Sequence, residues 1–213
     1  LLSLILDNHI EKESHMASKD KYPVSFEIDY PTKPDKLSSF FRIIWSIPVL
    51  LLVGILSGGM SSDEAGGITG GLFAATALMI VIRQKYPRWW FDFALELNRF
   101  SYRVMAYLLL LTDKYPSTTD KQSVHLNIEY PDVKKDLNRY LPLVKWILAL
   151  PHYIVLVFLT FAMLVVTIIA WFAILFTGKY PRSLFDFVVG VGRWGARVSA
   201  YAFLLTTDKY PPF

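Results

Sequence analysis

Two sets of charged residues in this chain are spaced so that each falls on one stripe of a helix. Arg88, Asp92, Glu96, Arg99 and Arg103 follow at intervals of four, four, three and four, and Arg182, Asp186, Arg193 and Arg197 repeat the stripe with Gly190 in place of Glu96. At about 100° per residue, each set occupies less than a quarter-turn. Carboxylates and guanidinium groups held this way can do three things. They can dock anionic headgroups or a partner. They can line an ion path between the two sets, with Asp92, Asp186, Arg99 and Arg193 facing one another around a hydrated cavity. Or they can pair among themselves, Glu96 or Asp92 with Arg99, and hold two halves of the molecule together. Pairing is the simplest account. Acid–base catalysis is poorly served, because the second set has no counterpart of Glu96.

Other chemistry finds less support. His9, His15, His125 and His152 stand apart, with no His or carboxylate at ligand spacing, and a haem ligated by His152 lacks a second residue. There is no cysteine, which excludes disulfides, zinc-thiolate sites, iron–sulfur clusters and cysteine nucleophiles. The glycines between residues 58 and 71 lack the Lys-Ser/Thr of a phosphate loop, and no serine sits on a nucleophile elbow. No catalytic, cofactor-binding or metal-binding residue is assigned, and the expectation is a protein that is not an enzyme. An enzyme acting on lipid has no carboxylate–His or metal cluster to support it.

The stripes belong to a larger recurrence. Lys85-Tyr86-Pro87-Arg88, Phe91-Asp92-Phe93, Ala106-Tyr107 and Asp113-Lys114-Tyr115-Pro116 return as Lys179-Tyr180-Pro181-Arg182, Phe185-Asp186-Phe187, Ala200-Tyr201 and Asp208-Lys209-Tyr210-Pro211. Each pass follows a long apolar stretch and a short alternating segment, 24–30 or 124–130, that ends in Tyr-Pro. Period two with β-branched and aromatic residues predicts a half-buried strand. One short strand is unstable alone, so the two are expected to pair. Pairing puts both passes on one face of any membrane, and each must then cross it an even number of times.

Hydrophobic residues make up 54% of the chain, and residues 153–177 hold no charge, enough to cross a bilayer as a helix. In the first pass, apolar runs at 37–56 and 68–82 flank a Gly/Ser-rich segment, 57–67, that carries Asp63 and Glu64 and no base. This reads as a helical hairpin whose loop faces outward, with every Lys-Tyr-Pro segment cytoplasmic. The second pass has no such turn. A tight hairpin turning near 158–161 is favoured. The alternative is an interfacial helix to Leu150, one crossing from His152 to Thr177 and a further crossing by the last helix. The striped helices should lie in the membrane interface, with Trp90, Phe93, Leu97, Phe100, Val104, Leu108 and Leu111 covering the side of the first opposite its charges. Tyr-Pro steps at Tyr22, Tyr30, Tyr86, Tyr115, Tyr130, Tyr180 and Tyr210 suit interfacial corners.

The segments 178–194 (GKYPRSLFDFVVGVGRW) and 197–213 (RVSAYAFLLTTDKYPPF) resemble the signature of the bacterial membrane proteins grouped as domain of unknown function 4389, and 85–93 and 102–116 follow it more loosely. The resemblance implies a bacterial integral membrane protein and no activity. Trp89-Trp90 in place of Ser183-Leu184, together with the acidic glycine loop, sets the first copy apart.

The expectation is therefore an all-α membrane protein of two tandem pseudo-symmetric repeats. Each would hold a short β-strand, a transmembrane helical hairpin and an amphipathic interfacial helix. The boundaries are an N-terminal extension 1–21, with Met16 reading as a start and 1–15 upstream of it, then repeats 22–117 and 118–213. It would lie in the bacterial cytoplasmic (inner) membrane as a multi-pass protein. Net charge +4 fits cytoplasmic loops and anionic lipid better than nucleic acid. The expected partners are membrane lipids and other membrane subunits, with no cofactor. The role would be an accessory or scaffold subunit or a lipid organiser, and the alternative a small transporter or channel with its pathway between the repeats.

Overall fold

The computed structural model describes residues 22–31, 33–57, 67–118 and 120–212. The expected N-terminal extension and most of the acidic segment 57–67 lie outside them. In order, the elements are β1 (Val24–Ile28), α1 (Lys36–Ser57), α2 (Gly67–Leu78) continued by a π-helical turn (Met79–Arg83), α3 (Arg88–Leu108), β2 (Val124–Ile128), the short α4 (Val133–Asp136) and α5 (Lys145–Leu148), α6 (Leu150–Thr177) and α7 (Arg182–Ala202).

The two strands pair, as their alternation demands, and they run antiparallel with Phe26 opposite Leu126. Val24, Phe26, Ile28, Val124, Leu126 and Ile128 face the core, while Ser25, Glu27, His125 and Asn127 face outward. The Asp29 amide donates to Ser123 and the Glu129 amide to Pro23. By the alternation of an antiparallel ladder, the carbonyls of Phe26 and Leu126 then point away from the partner strand, toward the two open edges of the sheet. Arginines close both edges. Arg193 Nε donates to the Phe26 carbonyl at 3.1 Å and Arg99 Nε to the Leu126 carbonyl at 2.8 Å.

Each strand lies along the helix of the other sequence copy. β1 follows α7: Tyr22 hydroxyl donates to the Arg197 carbonyl, Phe26 sits over Gly192, and the Tyr30 ring packs 5.0 Å from Phe185. β2 follows α3 in the same way, through Arg99 at Leu126 and the Tyr130 ring 5.2 Å from Phe91. α7 in turn runs antiparallel to α6. Its last turns, Val198, Tyr201 and Ala202, bury Ala149 at the start of α6, and Tyr153 packs 5.9 Å from Phe203. The short link from Thr177 to Arg182 joins their other ends. Sheet, striped helices and apolar helices thus form three layers with their long axes roughly aligned.

The favoured hairpin at 158–161 is overturned, since α6 is one helix through that region. No glycine or proline follows Pro151 until Gly178, and Pro151 sits at the first turn where its missing N–H costs nothing. α3 buries the face turned toward the sheet and the helices beside it. Phe91, Ala94, Leu95, Val104, Ala106 and Tyr107 are buried, whereas Trp89 and Phe93 stay exposed.

Candidate interfacial site

The charged stripes do not converge on a common cavity. Arg88 pairs with Asp92 at 3.3 Å and lies 4.7 Å over the Tyr130 ring; Arg182 pairs with Asp186 at 3.3 Å and lies 4.6 Å over the Tyr30 ring. Those tyrosines donate their hydroxyls to the Tyr86 and Tyr180 carbonyls respectively, fixing each Lys-Tyr-Pro corner to a strand end. Arg99 holds Glu96 as well as the β2 edge, and Arg103 donates to the Ser117 carbonyl at 2.7 Å. Arg197 lies 5.7 Å over the Tyr22 ring. Asp92 and Asp186 stay with their own arginines, while Arg99 and Arg193 occupy opposite edges of the sheet. Gly190 has open space beside it. The stripes therefore clamp strand to helix and leave their outer charges exposed.

Two buried ion pairs went unnoticed in the sequence. Arg42, only 2% exposed, donates to the Tyr107 and Thr112 carbonyls and to Asp113, and its guanidinium lies 4.4 Å over the Tyr107 ring. Lys145 does the same at the other end, through the Thr207 carbonyl at 2.7 Å, Asp208 at 2.7 Å and the Tyr201 ring. The signal was available: one base inside each apolar run, and one aspartate in each closing Asp-Lys-Tyr-Pro. The aspartates reach the bases because Leu110 and Leu205 adopt left-handed backbone (φ 63° and 57°), which turns the chain back after α3 and α7. Leucine rarely accepts that conformation, and both side chains are buried, so packing holds it there.

Burial, opposed by Asp208, lowers the Lys145 pKa, and burial raises that of the Tyr180 phenol to about 12. His152 is buried between the rings of Trp194 (5.5 Å) and Tyr210 (4.7 Å), a packed position. Among the described residues no three His, Cys, Asp or Glu side chains gather as they would around a metal ion.

An apolar groove of about 350 Å³ opens between the first turns of α1 and the last turns of α6. Among the described residues two helices, Lys36–Gly54 and Leu150–Thr177, are long and apolar enough to cross a membrane. No curated protein and no solved structure matches the chain. Residues 142–213, from just before α5 to the end of the chain, match the family model described as a domain of unknown function (DUF4389).

Proposed function

We propose that this is a non-enzymatic protein of the bacterial cytoplasmic membrane, acting as a lipid organiser or as an accessory subunit held at the bilayer surface. The observation that carries the reading is that α1 is built inside out. Its inward face is Ser39, Arg42, Ser46 and Val49, while Ile44, Trp45 (60% exposed), Ile47 and Leu50–52 point away from the protein. α6 likewise exposes Phe158, Phe161, Ile168 and Phe176. Water would penalise so large an apolar face, and lipid suits it.

The same layers bear on how the protein sits. α6 would measure about 42 Å, and α7 and then the sheet lie along it. Were α6 upright in the bilayer, Glu27, Asn127 and the exposed Asp29–His125 pair would enter hydrocarbon beside an open sheet edge, which lipid does not tolerate. Lying flat, the stack puts α1, α2 and α6 among acyl chains, the Arg and Tyr clusters of α3 and α7 among headgroups, and the polar sheet face in the cytoplasm. This favours embedding from one face over the multi-pass crossing expected from run length. The two tandem copies then act as one pseudo-symmetric unit, related through the paired strands.

Cysteine is absent from the chain, so single reporters are simple to introduce. Asn138→Cys and Lys179→Cys flank α6, and both positions are exposed. The flat arrangement has an impermeant maleimide label both from the cytoplasmic side only. An upright α6 gives labelling from opposite sides, and a crossing first hairpin gives a Ser62→Cys reporter reached only from outside. Either pattern refutes the flat reading. A chain that stays soluble and monodisperse without detergent refutes the membrane reading altogether.

A further inference from the structure

We propose that the groove between α1 and α6 holds one glycerolipid by its ester carbonyl, with an acyl chain along the apolar walls; this rests on the membrane reading above. Phe40, Ile43, Ile168 and Phe172 line the groove, and two polar side chains from one face of α1, Ser39 and Arg42, line it with them. They are 1% and 2% exposed, and Ser39 Oγ and Arg42 Nε have no hydrogen-bond partner among the described residues. That is costly for buried donors.

Helical hydroxyls elsewhere show what Ser39 fails to do. Ser46, Thr76, Ser101, Thr160 and Thr167 each donate to a carbonyl three or four residues back in their own helix. The Ser39 carbonyl is itself taken by Trp171 Nε1 at 3.0 Å, which ties α6 to this point.

The chemistry of the ligand follows from what Arg42 has already spent. Its Nη atoms hold two carbonyls and Asp113, so the positive charge is answered and only a neutral acceptor is needed at Nε. A neutral acceptor joined to an apolar chain, at the level where α1 leaves the charged corner of Asp35, Lys36 and Asp113, describes the ester carbonyl of a glycerolipid. The second sequence copy offers no equivalent. Pro142 stands three residues before Lys145, and Lys145 Nζ is engaged by Thr207 and Asp208. One lipid per chain is the expected ratio.

The test compares two bilayers that differ in one atom type. The full chain is placed in nanodiscs of ester-linked phosphatidylglycerol or of its dialkyl ether analogue, then transferred to mild detergent. Lipid retained per chain is counted by native mass spectrometry. Ester lipid should be kept at one per chain and the ether at roughly tenfold lower occupancy, the loss expected for hydrogen bonds without an acceptor. Ser39→Ala should narrow that difference, and Ser39→Leu should remove retention of both. Equal retention of the two lipids, which would mark headgroup binding, overturns the proposal. So does failure of the folded protein to keep either, or displacement of the lipid by a co-purifying quinone.

Discussion

Replacing two glycines on α7, only two positions apart, should move stability in opposite directions. A Cβ on Gly192 would lie 2.9 Å from Phe26 Cε1 and 3.4 Å from Met105 Cε, whereas one on Gly190 meets nothing within 4 Å. Phe26 has little room to yield. It is 1% exposed, its ring packs 5.0 Å from Tyr102, and its carbonyl is held by Arg193. Overpacking of this kind costs about 1–3 kcal/mol, while either Gly→Ala change gains about 0.5–1 kcal/mol from helix propensity. Gly190→Ala should therefore stabilise by about 0.5–1 kcal/mol, and Gly192→Ala should destabilise by about 0.5–2 kcal/mol. Adding Phe26→Leu to Gly192→Ala should recover about 1 kcal/mol or more beyond additivity, the signature of direct contact. The assay is unfolding in mixed micelles of mild detergent and increasing dodecyl sulfate, followed by circular dichroism. If Gly192→Ala is as stable as Gly190→Ala, or if the double variant is simply additive, β1 does not lie on α7 as described.

Other consequences can be measured on the same material. Arg193→Ala leaves the Phe26 carbonyl at an open strand edge and should cost about 1–3 kcal/mol, with faster hydrogen exchange along β1; Arg193→Lys should restore part of it. For Tyr180, a folded pKa raised to about 12 from 10.0 means its contribution is complete below pH 10 and lost as pH climbs from 10 through 12. Tyr180→Phe should flatten that alkaline loss, worth up to about 3 kcal/mol. Lys145 works in the other direction. Its lowered pKa is a cost below the folded value that fades as pH rises toward 10.5, so the wild type should gain stability on mild alkalinisation and Lys145→Met should not. Glu27→Cys with His125→Cys, opposite each other on the outer sheet face, should be joined by a short bis-maleimide within one chain, and mass spectrometry of the digest would show a failure. A fragment of residues 118–213 should not fold in detergent as a monomer, and a sedimenting folded monomer would contradict the exchange of strands.

The strands were legible because their alternation is unambiguous and a lone pair of short strands has one way to be satisfied. α1, α3 and α7 were legible from run length and stripe spacing, while the glycine turn expected in 57–67 falls almost wholly outside the described residues. The second pass departs from the expected tight hairpin near 158–161. Nothing in residues 152–177 breaks a helix, and Pro151 stands at the first turn where it is tolerated. The clamp role of Arg99 and Arg193 was half visible. Pairing within the stripe was expected and occurs, but their main acceptors are backbone carbonyls, and no side-chain pattern announces a carbonyl. Arg42 and Lys145 were hidden for a related reason. Each stands alone in an apolar run, and its aspartate is about 60 to 70 residues away, beyond any helical spacing.

The match over residues 142–213 covers α5, α6 and α7 but neither strand. Within this chain the matched segment is not complete as a packing unit. The face of α7 around Gly192 is covered by Phe26, and the Lys-Tyr-Pro corner at Tyr180 is pinned by Tyr30, both from residues before the match. In return, β2 reaches back to cover α3. Each sequence copy thus supplies the lid for the other, and the two arginines that close the sheet edges, Arg99 and Arg193, do so across that exchange. On its own, the 72-residue matched segment of this chain would lack the strand that covers α7. The strand exchange completes the polar surface above the apolar helices, and it fixes which face of that layer the basic corners occupy.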